Sequence, residues 1–217
     1  MYSFEISKFT VFPAFSSPVS TTFLTGDFTA VKTQIKNSEF YINQASGTNF
    51  NGTIPAYSTT NRKLLKQFPD LEKLILDNFD DYVQSVLRIS NKKFIITTSW
   101  GTKVKRGGES QFHSHKNSFY SGVLYFDEII DGGILEFGNH NLSLSSFLLG
   151  GTEEYNLLNT EGFTLSPRKN MLVFFPSYLF HRITRHNSNL TRYSLAFNLH
   201  PTGEYGLGDS FINNDAS

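Results

Sequence analysis

Two segments hold the residue types able to do chemistry. His113 to Tyr125 reads HSHKNSFYSGVLY, and His181 to Asn198 reads HRITRHNSNLTRYSLAFN. Side chains alternate along an extended chain, so an H-x-H pair turns both rings to one side. Neutral imidazole is the commonest protein ligand for a metal ion. His113 and His115 are therefore expected to grip one ion, with His181 brought across from a later loop as a third ligand. His140, His186 and His200 fall in loop-like or strand-end contexts and receive no role.

Arg192 follows His181 after ten intervening residues and opens a second alternation. Arg192, Ser194, Ala196 and Asn198 share one strand face, and Ser121, Val123 and Tyr125 share another. A guanidinium fork matches a carboxylate, and a neighbouring hydroxyl adds a further bond. If these faces line a barrel, Arg192 with Ser194 and Tyr125 would hold one end of a dicarboxylate whose other end reaches the metal. An inward arginine with no such partner would be costly to bury. Asn198, on the same face, is placed with this cosubstrate set.

The elements that must position these groups are mostly short strands. Phe94–Thr98, Ser121–Phe126, Ile134–Phe137, Phe163–Leu165, Met171–Phe175 and Tyr193–Leu199 read as strands, separated by turn signals such as Asp131-Gly132-Gly133 and Ser166-Pro167. Before them, apolar residues from Leu64 to Leu87 recur at three- and four-residue steps. That spacing predicts an amphipathic helix pair broken near Pro69, with the proline suited to a first turn. Residues 1–59 show short β-type stretches such as Phe9–Phe12, and Tyr41–Thr60 reads as a long loop. The pattern implies a mainly β, α+β chain: a jelly-roll barrel buttressed by helices. One domain is expected, with an N-terminal extension and helical buttress over 1–90, a barrel core over 91–200 and a loosely ordered tail over 201–217.

Composition narrows the class. The chain has 217 residues, enough for one sizeable core, and its 22 Phe and 10 Tyr against 18% charged residues favour a packed protein over disorder. Cysteine is absent, which removes disulfides, thiolate ligands and a cysteine nucleophile. No run approaches the roughly 18 apolar residues of a membrane span, and the N-terminus makes a poor signal peptide, so a soluble cytoplasmic protein is expected. The formal net charge is zero, which gives no support to nucleic-acid binding. Yet Gly162–Gly203 contains no acid while carrying Arg168, Lys169, Arg182, Arg185 and Arg192, a local bias that favours a small anion.

Taken together, these motifs resemble the iron(II)- and 2-oxoglutarate-dependent oxygenase superfamily, and more narrowly a prolyl-hydroxylase-like branch of bacterial and phage proteins. The resemblance runs from about Thr59 to His200. It rests on Trp100, on QFHSHKNS from Gln111, on SGVLY from Ser121, on GILEF from Gly133, on FFPSYLFH ending at His181, and on RYSLAFN from Arg192. The resemblance implies a double-stranded β-helix (the jelly-roll or cupin-like architecture), Fe(II) as cofactor, 2-oxoglutarate as co-substrate and O2 as oxidant. It further implies decarboxylation to succinate coupled to hydroxylation of a C–H bond. Residue by residue, His113 and His181 take the two histidine positions of the metal site. Arg192 with Ser194 takes the carboxylate anchor, and Tyr125 matches a supporting tyrosine. Likeness to prolyl hydroxylases points to a protein or peptide residue as primary substrate.

One position departs from the family pattern. The usual motif is H-x-carboxylate, and here His115 occupies the carboxylate place. His115 is expected as the third ligand, with water or a distant acid such as Glu136 as the alternatives. Asn170 stands where a turn glycine would be usual, and asparagine tolerates the left-handed conformation. Two other functions stay open on the sequence: a three-His cupin-type dioxygenase that does not use 2-oxoglutarate, and a non-enzymatic jelly-roll binding module whose histidines are incidental or hold zinc.

Overall fold

The structure, a computed structural model, describes residues 4–6, 9–11, 16–42, 54–90, 92–138, 160 and 162–214. In chain order the elements are β1 (Phe4–Ile6), β2 (Phe9–Val11), β3 (Ser20–Phe23), α1 (Thr29–Lys36), β4 (Phe40–Ile42), β5 (Ile54–Pro55) and β6 (Tyr57–Thr59). A 3-10 turn (Leu64–Gln67) leads into α2 (Pro69–Ser85). Then come β7 (Lys93–Val104), β8 (Gly108–Glu109), β9 (Tyr120–Tyr125), β10 (Leu135–Gly138) and β11 (Gly162–Leu165). The last are β12 (Met171–Pro176), β13 (His181–Ile183), β14 (Arg192–Tyr205) and β15 (Ile212–Asn214).

The main sheet runs β3-β12-β9-β14-β7-β6-β4, with β15 added to the far part of β14. A smaller sheet, β11-β10-β13, faces it, and an isolated bridge from His113 to His181 extends that sheet by one residue pair. Two antiparallel sheets facing each other in this way form a double-stranded β-helix.

Strict alternation gives the main sheet two different faces. Leu124, Leu172, Phe174, Leu195, Phe197 and Leu199 point to the helices, where they pack with Leu71, Ile75, Phe79 and Val83 of α2 and Ile35 of α1. Their sequence neighbours Val123, Tyr125, Met171, Val173 and Phe175 point the other way and meet Leu135 and Phe137 of the small sheet. The expected helical buttress is present as α2, although the first member of the predicted pair is only the 3-10 turn Leu64–Gln67. Pro69 sits in the first turn of α2, where its missing N–H costs nothing.

Three expectations need correction. Tyr41–Thr60 is not all loop: Phe40–Ile42 and Tyr57–Thr59 are paired strands of the main sheet, while residues 43–53 lie outside the described residues. The periodic signal also missed α1, an eight-residue helix whose core contact is only Val31 and Ile35. β7 also runs on through Gly101 to Val104 rather than stopping near Thr98, paired with β14 along this length. A Cβ at Gly101 would lie 2.5 Å from Ile35 Cγ2, so this glycine admits the helix rather than ending the strand. Finally, the tail carries a paired strand, since β15 pairs with Gly203–Tyr205. Asn170 does adopt a left-handed φ of 59°, as its place before β12 requires.

Candidate metal and cosubstrate site

The metal site is built on a backbone handshake. His113 N donates to the carbonyl of His181 at 3.0 Å, and His181 N returns the bond at 2.9 Å. His115 N donates to Ser177 O at 2.9 Å, which ties the second half of the H-x-H segment to the turn after β12. Both rings of the pair therefore face the same side. One ligand atom from each of His113, His115 and His181 lies within 4.8 Å of the others. All three sequence-predicted ligands come together.

Their tautomers are set by what the other ring nitrogen touches. Nδ1 of His113 lies 2.9 Å from Gln111 O, and Nδ1 of His181 lies 2.9 Å from Leu179 O. Nδ1 of His115 lies 2.7 Å from Asn198 Oδ1. A carbonyl oxygen can only accept, so each Nδ1 carries the proton and each Nε2 keeps the lone pair for an ion. Burial holds all three rings below the ordinary histidine range, His115 to about 4 and His181 well below normal. Neutral rings are what a metal site requires.

Asn198 was expected among the cosubstrate contacts, but its amide is committed to His115. Asn198 Nδ2 donates to Thr98 Oγ1 at 3.0 Å, which turns Oδ1 towards the histidine, and Ser121 Oγ donates to the same oxygen at 2.9 Å. The register shift between Asn198 and Leu199 lies at this residue, where a bulge commonly re-aims a side chain. Glu136 is excluded as a nearby acid. It pairs across the small sheet with Arg182 and forms an ion pair with it, whereas its neighbour Phe137 is the residue that contacts His181.

The anion end lies further along the same barrel face. Ser194 stands opposite Tyr125 on one side and Thr102 on the other, and its hydroxyl bonds that of Thr102. Arg192, only 2% exposed, is one step beyond, with its guanidinium carbon 5.8 Å from the Tyr125 ring centre. Arg192 Nη1 donates to the carbonyls of Gly132 and Gly133. Arg192 Nε and Tyr125 Oη are both buried, and neither has a hydrogen-bond partner among the described residues. Burial pushes the Tyr125 hydroxyl up to about 12 and pulls the Arg192 guanidinium below its usual value.

Two orphaned donors side by side are uncommon in a folded interior, because an unmade buried bond costs about 1–3 kcal/mol. Both would be satisfied by one carboxylate. The arrangement thus offers three imidazole lone pairs at one end and an oxyanion cradle at the other.

The sequence reading missed what holds Arg192 in place. Asp131 and Gly133 have φ of 58° and 71°, and a Cβ at Gly133 would lie 2.4 Å from Thr184 O, so the turn is fixed in a shape that presents its carbonyls. His186, given no role from sequence, is fully buried with Nδ1 2.7 Å from Gly132 O and Nε2 at Leu190 O. It braces the same carbonyl that Arg192 uses. The Asp131-Gly132-Gly133 turn signal was visible, but nothing local linked it to Arg192. His200, also set aside, packs with Phe119 and Tyr205 away from the metal ligands, and His140 lies outside the described residues.

Residues 98–198 match the family model described as "Putative 2OG-Fe(II) oxygenase". Over that stretch, somewhat under half of its length, the chain is similar to the 2OG-Fe(II) oxygenases. The protein is accordingly an oxidoreductase, with iron(II) as its metal and 2-oxoglutarate as its cosubstrate. No curated protein matches the sequence significantly.

Solved structures agree in architecture. A prolyl-4-hydroxylase from Pseudomonas putida superposes with a TM-score of 0.52 at 15% identity, over 85% of this chain and 94% of that one. HygX from Streptomyces hygroscopicus, with nickel, 2-oxoglutarate and hygromycin B bound, gives 0.55 at 12% identity over 86% and 84%. A prolyl hydroxylase from Trichoplax adhaerens, in complex with a hypoxia inducible factor peptide fragment, gives 0.57 at 12% identity over 83% and 82%. At these identities the likeness establishes the double-stranded β-helix. Among the described residues, no helix of this oxygenase is long and apolar enough to cross a membrane.

Proposed function

We propose that this oxygenase couples decarboxylation of 2-oxoglutarate to hydroxylation of a substrate C–H bond, using His113, His115 and His181 as iron ligands. The overall reaction balances with one O2. One oxygen atom enters the new carboxylate of succinate as CO2 leaves, and the other enters the substrate as a hydroxyl. Iron(II), when bound, supplies the redox chemistry and the site at which O2 and the keto acid meet.

The chain's own residues orient and exclude. Arg192 Nε and Tyr125 Oη would receive the far carboxylate of 2-oxoglutarate, with Ser194 beside them. Phe137 and Phe175, with ring centres 6.0 and 4.7 Å from that of His181, form an apolar wall at the metal end. Such a wall keeps bulk water from the reacting groups. The Asn198–His115 bond holds the third ring in its ligating tautomer. With three neutral ligands, the dianionic cosubstrate itself balances the metal charge.

The observation that carries this reading is the pair of orphaned donors on the same barrel face as a three-histidine cluster. The test is anaerobic addition of Fe(II) and then 2-oxoglutarate. A weak visible charge-transfer band should grow with the keto acid and saturate at one equivalent. No band at saturating ligand, with iron retained, would overturn the assignment.

A second reading is favoured because the ligand cluster found among the described residues is made of histidines alone. A three-histidine dioxygenase could place its substrate's own carboxylate on Arg192 and dispense with 2-oxoglutarate. Oxygen uptake without succinate formation would select it. For the primary substrate, a protein or peptide residue is supported only by the prolyl-hydroxylase likeness. A cytoplasmic location is consistent with the absence of cysteine.

A further inference from the structure

Above the histidines lies an open cleft of about 320 Å³, lined by Arg62, Thr98, Trp100, His113, His115 and Asn198. None of these is acidic, and one is an arginine. Arg62 reaches the cleft from the segment between β6 and the 3-10 turn, and its carbonyl accepts from Ser99 N at 2.8 Å. That bond fixes its backbone beside the strand carrying Trp100.

The side chain is held as firmly. The guanidinium carbon is 5.0 Å from the centre of the Tyr41 ring and 5.4 Å from that of Trp100. Trp100 in turn stacks on His115 at 5.6 Å with 28° between planes. Arg62 is thus two ring contacts from the metal ligand. Neither an ion pair nor a side-chain hydrogen bond engages its guanidinium among the described residues.

An ordinary surface arginine samples many rotamers in water. One clamped by two aromatic faces has its plane set before any ligand arrives, and its N–H edges remain to be used. Planar, pre-oriented donors of this kind suit an oxyanion, which they can meet through two parallel bonds. Arg192, buried at the other end, already answers the cosubstrate.

We propose that Arg62 is the specificity residue of the cleft, and that the primary substrate carries a carboxylate or phosphate which docks on it while the carbon to be oxidised sits over the histidines. The inference rests on the oxygenase reading for its chemistry, but the anion site can be measured without turnover. Trp100 is the sole tryptophan of the chain, so its fluorescence reports this cleft alone.

The experiment titrates the full chain with inorganic phosphate, N-acetylglycine or its neutral amide at constant ionic strength, with and without Fe(II) under anaerobic conditions. Either or both anions should change Trp100 emission saturably, phosphate and carboxylate arms telling the two oxyanions apart, while the amide should not. Arg62→Gln should weaken the responding anion by about tenfold or more, as loss of a charge-assisted contact predicts, and Arg62→Lys by less. Metal content and the 2-oxoglutarate band of Arg62→Gln, read in parallel, should match the parent. An amide that binds like the acid, an Arg62→Gln variant with parental anion affinity, or the lack of any saturable response would overturn the proposal. Absence of the 2-oxoglutarate band from the parent would remove the oxygenase reading and leave the Trp100 result to stand by itself.

Discussion

The two faces of the main sheet use the same strands and end in opposite conditions. Towards the helices, Phe79 lies 4.9–5.1 Å from the rings of Phe94, Tyr120 and Phe174, and the surrounding leucines are almost wholly buried. Towards the barrel, every second residue of β14 is polar or small: Arg192, Ser194, Ala196, Asn198. The first face is packed by the chain itself and leaves one buried hydroxyl, that of Tyr82, without a partner among the described residues. The second leaves an arginine nitrogen and a tyrosine hydroxyl unmatched. A charged donor and a hydroxyl left unmatched on one face, as in the barrel, suit an anionic ligand that arrives later.

The sharpest way to break the contrast is at the metal. His181→Ala should abolish stoichiometric iron binding, since it removes one of the three proposed ligands and the most buried of them. Metal analysis of tag-free protein gives the answer, and full retention of iron would dissolve the site.

Next come matched truncations on the two faces. Phe79→Ala should cost about 3–5 kcal/mol of folding stability through loss of its buried ring. In the folded fraction, 2-oxoglutarate affinity should be unchanged. Arg192→Met should keep iron yet weaken 2-oxoglutarate by about 2–5 kcal/mol, the range for breaking a buried charge pair. Urea melts and titrations of the chelate band on both variants separate packing from recognition. Equal effects on both quantities in both variants would erase the distinction.

A smaller effect is expected one shell out. Asn198→Ala should lower metal affinity about 10- to 100-fold, the usual range for removing a partner that orients a ligating histidine. Competition with a chelator measures it. An unchanged affinity would mean that His115 is not a ligand, or does not need its tautomer fixed.

The legible part of the site was the part written in residue types with a local period. H-x-H and the Arg192 face could be read because alternation converts sequence spacing into a shared direction. The bond from Asn198 to His115 was not foreseen, since a residue's face does not say which end of the barrel its side chain serves. Arg62 gave no signal at all. Its neighbours Asn61 and Lys63 carry no motif, and its meaning comes from Tyr41 and Trp100, which reach it only through strand pairing. The Gly132 carbonyl that steadies Arg192 was hidden for the same reason. In the fold, long periodic α2 was evident while α1, with two buried residues, was not.

The finest test uses two tyrosines. Tyr82 on the helix face and Tyr125 in the barrel both have a buried hydroxyl with no partner among the described residues, and burial raises the pKa of each. Without ligands the two are alike, so Tyr82→Phe and Tyr125→Phe should each leave the metal-free protein as stable as before or up to about 1 kcal/mol more stable, by removing an unmade bond. Saturating 2-oxoglutarate should then divide them. Tyr82→Phe should bind it like the parent, because that hydroxyl lies among α2, β9 and β12 on the far side of the sheet. Tyr125→Phe should bind it about ten- to a hundredfold more weakly, as expected for a lost hydrogen bond to a charged group of about 1.5–3 kcal/mol. A sign that reverses with ligand at one tyrosine and not at the other would mean that the Tyr125 orphan is a binding group, whereas the Tyr82 orphan is only a flaw in packing. If the two variants behaved alike in both states, the barrel hydroxyl would be no more than a second such flaw, and the cradle would rest on Arg192 alone.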